Sequence, residues 1–143
     1  VDRRQRQMCI RDRVQGQVTP IEGVIDLAIG RMEDSIIKRQ VKQGGKPAQT
    51  SYRVLDQSNQ ASLLTIDLLT GRTHQIRVHF SHLGHPLLGD SLYGGQAGII
   101  DRQALHCQQV DFTHPLTGQR VHLQASLPED LLVLSQRLKL EGV

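Results

Sequence analysis

Three features of the 143-residue sequence predict an α+β fold. Apolar and polar residues alternate over 61–69, the period of a half-buried strand. From Ile76 the period lengthens to that of a helix. A second helical stripe, with its own start and stop signals, occupies about 128–139. Together they predict a mostly antiparallel mixed sheet, with one helix inserted over about 73–84 and another at the C-terminal end.

The elements follow in order. Residues 1–13, VDRRQRQMCIRDR, show no helical or strand period and no turn chemistry leading onward. They read as a foreign segment and are left out of the predicted fold, which covers 14–143; a basic arm touching phosphate is the functional alternative. Gly23–Ile29 is apolar, β-branched and bounded by glycines, so a strand. Residues 31–47 are polar and charged and read as an exposed loop or irregular ribbon, punctuated at Gly44-Gly45. Thr50–Leu55 and Ala61–Leu69 flank a turn at Ser58-Asn59, with Leu64, Ile66 and Leu68 on one face and Thr65 and Asp67 on the other. In the inserted helix Ile76, Phe80 and Leu83 share one face and His74, Arg77 and Ser81 another. Thr73 is its predicted N-cap, and Gly84 with Pro86 ends it. A Gly-rich loop covers 86–101, and a second hairpin pairs Leu105–Phe112 with Val121–Ala125. Pro128, Glu129 and Asp130 open the last helix, whose apolar stripe is Leu131, Leu134 and Leu138.

Composition narrows the function classes. Hydrophobic residues make up 38% and charged residues 22%, ordinary for a globular chain and not for a disordered one. No apolar run reaches the length that spans a bilayer, and no apolar stretch of signal-peptide type opens the sequence, so no membrane role and a cytoplasmic location are expected. Two cysteines, Cys9 and Cys107, form no disulfide framework. The net charge of +3 resides wholly in residues 1–13; the remainder carries twelve Lys and Arg against twelve Asp and Glu. Any nucleic-acid site in 14–143 must therefore be a local cluster.

The densest chemistry lies in Leu69–Gly95, LTGRTHQIRVHFSHLGHPLLGDSLYGG. Arg72, Thr73, His74, Gln75, Arg77 and His79 crowd a helix start that needs only one cap. Two of them are arginines, suited to carboxylate or phosphate, although a solvated helix face has the same composition. All seven histidines lie between 74 and 122. His74, His79, His82 and His85 raise a metal reading, but no Cys or acidic residue completes a ligand set, so no metal is expected. P-loop, dinucleotide-binding and nucleophile-elbow motifs are absent.

The run L-x-T-G-R-T-H-Q-I-R-V-H, followed by G-H-P-L-L-G-D-x-L-Y-G, resembles the signature of RNA pseudouridine synthases of the RluA type. Gly45-Lys-Pro-Ala-Gln-Thr-Ser-Tyr-Arg-Val-Leu55 is similar to the strand that leads into that signature. Arg102-Gln-Ala-Leu-His-Cys107, Phe112-Thr-His-Pro115 and Ala125-Ser-Leu-Pro-Glu-Asp130 are similar to its C-terminal hairpin and helix. The resemblance covers about residues 21–138.

That resemblance implies isomerisation of uridine in structured RNA, ribosomal RNA by preference, with no metal and no organic cofactor. It implies a catalytic aspartate paired with an arginine, which lowers the aspartate's pKa and orients it. Arg77 matches that arginine. Arg72, His74 and Gln75 match RNA- or substrate-contacting positions, Leu105 an apolar residue under the uracil, and Tyr93 a loop support or a ring at the substrate. The family's aspartate sits in a motif resembling H-R-L-D-x-x-T-S-G, and no Arg-Leu-Asp occurs here. Asp26, Asp34, Asp67 and Asp90 lack its context. The resemblance therefore implies the C-terminal half of a catalytic domain, a monomer, inactive alone and poorly protected at an unpaired sheet edge. A non-catalytic RNA-binding module of the same fold is the alternative.

Overall fold

The computed structural model describes residues 6–96, 100 and 102–140, without the side chains of 6–9 and Gln108. Residues 1–5 of the predicted foreign segment, and 97–99 and 101 of the predicted Gly-rich loop, lie outside the described residues.

Eight strands and two helices follow in the order β1 (Arg6–Gln15), β2 (Glu22–Asp26), β3 (Ile29–Arg31), β4 (Arg39–Val41), β5 (Gln49–Gln57), β6 (Ala61–Leu68), α1 (Gln75–His82), β7 (Leu105–Thr113), β8 (Arg120–Gln124) and α2 (Glu129–Arg137). Six strands form one sheet in the order β2-β5-β6-β1-β7-β8, and β3 and β4 form a separate two-stranded ribbon. Every pairing is antiparallel.

Alternation along β6 decides what each face of the sheet buries. Leu64 and Ile66 join Ile10, Val14, Tyr52 and the α1 residues Ile76 and Phe80 in one core. Ala61 and Leu63, of opposite parity, join Leu131, Leu134 and Leu138 of α2 in another. The apolar stripes expected of α1 and α2 thus pack on opposite faces. A third, smaller cluster of Ile29, Ala48, Val78 and Tyr93 seats the β3–β4 ribbon against the outer side of α1.

Three expectations need correction. The strand expected over Gly23–Ile29 stops at Asp26, and Ile29 starts the β3–β4 ribbon, so the ribbon turns away from the sheet two residues later. Thr73 does not cap α1: the N-cap is His74, in the left-handed region at φ 56°, with no side-chain cap. Leu83, expected on the apolar face, is the exposed C-cap residue.

The least expected element lies within the segment read as foreign. Arg6–Gln15 is a strand, and it occupies the centre of the sheet between β6 and β7. Its polar composition hides this, because pairing on both sides imposes the extended backbone whatever the side chains. The chemistry shows the conflict. Asp12 and Arg13 are fully buried, Asp12 on the α1 face between Ile10 and Val14, Arg13 on the α2 face. Arg13 Nε donates to Ser135 Oγ at 2.9 Å. Both Asp12 carboxylate oxygens and both terminal nitrogens of Arg13 are buried without a hydrogen-bond partner. Burial pushes the Asp12 carboxyl up to about 8, against the opposing pull of the Arg13 charge. The same cause brings Arg13 down to about 10.

Candidate functional site

Gln75 organises the turn that leads into α1. Its Oε1 accepts from Thr70 Oγ1 at 2.7 Å and from the Arg72 N–H at 2.9 Å. Its Nε2 donates to the Gln49 carbonyl at 2.8 Å and to Thr50 Oγ1 at 2.9 Å. Four bonds use the whole capacity of a primary amide. The network continues inward. Thr50 and His79 are fully buried, and Thr50 Oγ1 lies 2.9 Å from His79 Nδ1. His79 Nε2 lies 2.8 Å from the Leu27 carbonyl, which can only accept, so the network assigns the proton to Nε2 and leaves Nδ1 to accept from Thr50. Burial lowers the pKa of His79, so the ring is held neutral.

The opposite side of α1 grips Tyr93. His74, Arg77 and Ser81, one helical face in the sequence, all touch it. The Tyr93 hydroxyl lies 2.7 Å from His74 Nδ1 and accepts the Arg39 N–H at 3.0 Å. Burial first, then the charges of Arg77 and Arg39, lower the pKa of His74. A neutral ring with its proton on Nε2 can accept the tyrosine hydroxyl's hydrogen bond at Nδ1. Ser81 Oγ donates to the Tyr93 carbonyl at 2.7 Å. The Arg77 guanidinium carbon stands 5.0 Å from the centre of the Tyr93 ring.

Arg77 is held by a carboxylate that sequence reasoning assigned no role. Its Nε donates to Asp90 Oδ2 at 2.9 Å and its Nη2 to Asp90 Oδ1 at 2.8 Å, a bidentate pair. The side-chain exposures are 17% for Arg77 and 1% for Asp90, so the pair meets solvent only from the arginine side. The hydrogen bond to Asp90 raises the pKa of Arg77, which stays charged at any working pH. Nη1 makes no hydrogen bond among the described residues and faces outward from the pair. The Asp90 loop is shaped by Gly89, which sits at φ +77°; a Cβ there would lie 2.0 Å from the Arg102 carbonyl oxygen.

The predicted site residues therefore separate by burial. Arg77 stands at the edge with one free nitrogen. Arg72 is exposed, anchored by Nε to the Pro47 carbonyl at 2.8 Å. His74 is half-buried on Tyr93. Gln75 and Tyr93 are 3% and 6% exposed, with their polar atoms bonded internally, and so support the site from beneath. Leu105 is partly buried on the α1-side core, paired with Asp12 across β1 and β7. Asp12 is fully buried and its carboxyl is pushed up to about 8 by burial, so it is a poor candidate for a solvent-facing nucleophile. Among the described residues no three metal-ligating side chains converge, and His79 is occupied on both nitrogens. No helix among them is long and apolar enough to cross a membrane.

Known proteins with this sequence pattern share a family. The RNA pseudouridylate synthase family model matches residues 10–82, from the second half of β1 to the end of α1. The uncharacterized RNA pseudouridine synthase YjbO of Bacillus subtilis is 48% identical over 118 residues, 82% of this chain and 42% of that protein. Ribosomal large subunit pseudouridine synthase D of Vibrio parahaemolyticus is 40% identical over 131 residues, 40% of its length. The chain thus spans about two fifths of the curated relatives it matches. Among solved structures, human RNA pseudouridylate synthase domain containing 1 superposes with a TM-score of 0.75 at 26% identity, over 98% of this chain and 69% of that one. Human RNA pseudouridylate synthase domain containing 4 shares the fold, with a TM-score of 0.76 at 24% identity. By sequence match and by fold, the chain belongs to the RNA pseudouridylate synthase family.

Proposed function

We propose that this chain is the arginine-bearing part of the catalytic domain of an RNA pseudouridine synthase acting on structured ribosomal RNA. The observation that carries the reading is Arg77. It is fixed by a buried carboxylate on one edge and by a tyrosine ring on its face, with Nη1 left toward solvent. Such an arginine is preorganised to meet a second carboxylate, and an aspartate placed against it stays ionised and aimed. That aspartate comes from an H-R-L-D-type segment that this sequence does not contain. The reaction then needs the uridine extruded from its stack, the aspartate acting as nucleophile or base, and the detached uracil rebonded through carbon. Leu105 contributes apolar surface beneath the ring. In this reading residues 1–13 are a foreign segment, and its described part, residues 6–13, fills a strand position in which the Asp12 carboxylate and the Arg13 terminal nitrogens are buried without partners.

The test uses the full-length gene product on unmodified ribosomal RNA, with pseudouridine read by carbodiimide adduct and primer extension. Formation of pseudouridine at a defined site, reduced on the order of a hundredfold or more in Arg77→Met, supports the reading. Unchanged activity in Arg77→Met contradicts it.

A further inference from the structure

One cleft lies beside the Arg77 site and outside it. It runs between the β3–β4 ribbon and the turn into α1, with a volume of about 630 Å3. Its lining includes Arg31, Arg39, Lys46 and Arg72 and not one acidic residue. Residues 14–143 carry equal numbers of cationic and anionic side chains, so four cations in one cleft without a carboxylate is a local separation of charge. The ion pairs of the described residues engage Arg77, Arg102 and His122, and none of the four. Glu33 and Asp34 belong to the ribbon loop but not to the lining.

Two of the four are anchored on backbone carbonyls, which leave their charge unneutralised. Arg72 Nε is bonded to the Pro47 carbonyl and Arg39 Nη1 to the Ile36 and Ile37 carbonyls. Part of the wall is bare backbone. A Cβ on Gly45 would come within 2.6 Å of the Ile29 carbonyl oxygen, so glycine is required for the ribbon backbone to pack there. Arg39 also ties the cleft to the arginine site, since its N–H donates to the Tyr93 hydroxyl beneath Arg77.

We infer that this cleft is a phosphate track: Arg31, Arg39, Lys46 and Arg72 hold the backbone of the RNA strand that carries the target uridine. The identity of the polyanion rests on the proposed synthase reading; the charge separation does not. Phosphate contacts position a nucleic acid without reading its sequence. The track therefore sets affinity and register, and the base is chosen elsewhere. Each cation on a phosphate contributes about 0.9 to the slope of log affinity against log salt on a duplex.

The experiment measures binding of the full 143-residue chain to two RNA stem-loops of unrelated sequence, by filter retention across a salt series. Lys46→Gln with Arg72→Gln is compared with Arg120→Gln plus Arg137→Gln, a pair remote from the cleft, and thermal melts verify folding of each. The inference expects the cleft pair to lower the salt slope by about two and to weaken binding roughly sixtyfold at 0.1 M salt, equally for both RNAs, with the remote pair unchanged. Equal losses in both pairs, no loss in the cleft pair, or no binding of RNA by the parent chain would each overturn it. A poly-aspartate peptide that binds as tightly and with the same dependence on Lys46 and Arg72 would overturn the RNA assignment. Binding lost as expected while the full-length product makes no pseudouridine would leave the track standing and remove the synthase reading.

Discussion

The protein buries polar groups in two regions and treats them oppositely. Around α1, Gln75, Thr50 and His79 are buried with their side-chain polar atoms bonded, and Asp90 is bonded by both oxygens to Arg77. In β1, Asp12 and Arg13 are buried just as deeply, and the Asp12 oxygens and the Arg13 terminal nitrogens have no partner. A satisfied buried network specifies one arrangement and resists its loss; an unsatisfied one costs stability wherever it sits. The first pattern marks a region whose residues fit one another. The second marks a strand whose backbone fits the sheet and whose side chains do not.

Breaking the satisfied region has the largest expected effect. Asp90→Ala removes two charge-assisted hydrogen bonds from a guanidinium that solvent reaches on one side, and should destabilise by about 3–4 kcal/mol in urea denaturation. It should also release Arg77 from its fixed orientation. Gln75→Leu removes four hydrogen bonds and leaves Thr70, Arg72, Gln49 and Thr50 groups to find water; about 3 kcal/mol is expected, at about 1 kcal/mol per bond with partial rescue by solvent.

The same operation on β1 should have the opposite sign. Asp12→Leu with Arg13→Met replaces buried polar atoms that lack partners with apolar surface and should stabilise by about 1–4 kcal/mol in the same titration. The pH dependence sharpens the contrast. Asp12 has a folded pKa of about 8 against an ordinary 3.8, so the folded state holds a proton that the unfolded state has lost in between. Its contribution is fully favourable below pH 3.8 and is lost as pH rises toward 8. His79 runs the other way: its folded pKa lies below 6.5, so its stabilisation is present above that value and lost as pH falls through the folded pKa. Denaturation midpoints should therefore fall as pH rises from about 3.8 to 8 in the parent and not in Asp12→Leu. A profile unchanged by Asp12→Leu would show that Asp12 is solvated.

Much of the satisfied region was legible in the sequence. The face shared by His74, Arg77 and Ser81 follows from helical spacing alone, and all three residues meet Tyr93. The alternation in β6 likewise assigns Leu64 and Leu63 to different cores. What stayed hidden depends on partners distant along the chain. Gln75 reads as a binding residue until Gln49 and Thr50, some 25 residues away, are brought against it. β1 stayed hidden because its extended form is imposed by β6 and β7, not by its own pattern.

The smallest effect is the most local. Tyr93→Phe keeps the ring under Arg77 and removes only the hydroxyl that joins His74 to the Arg39 N–H. About 1 kcal/mol of stability should be lost. If the hydroxyl couples ribbon to helix, amide exchange should rise over Arg39–Val41 and stay unchanged in β6. Uniform exchange changes would mean that the tyrosine merely fills space.

The central claim, that the ordered network presents an arginine awaiting an aspartate, is tested most directly by incubating the 143-residue chain with unmodified ribosomal RNA. The incubation is made once alone and once with a segment carrying an H-R-L-D-type motif fused to its start. The account predicts no pseudouridine from the chain alone, pseudouridine from the fusion, and its loss in the fusion carrying Arg77→Met. Pseudouridine from the chain alone would place the nucleophile among its own carboxylates. None from the fusion, with RNA still bound, would leave a non-catalytic RNA-binding module. Either result would contradict the account.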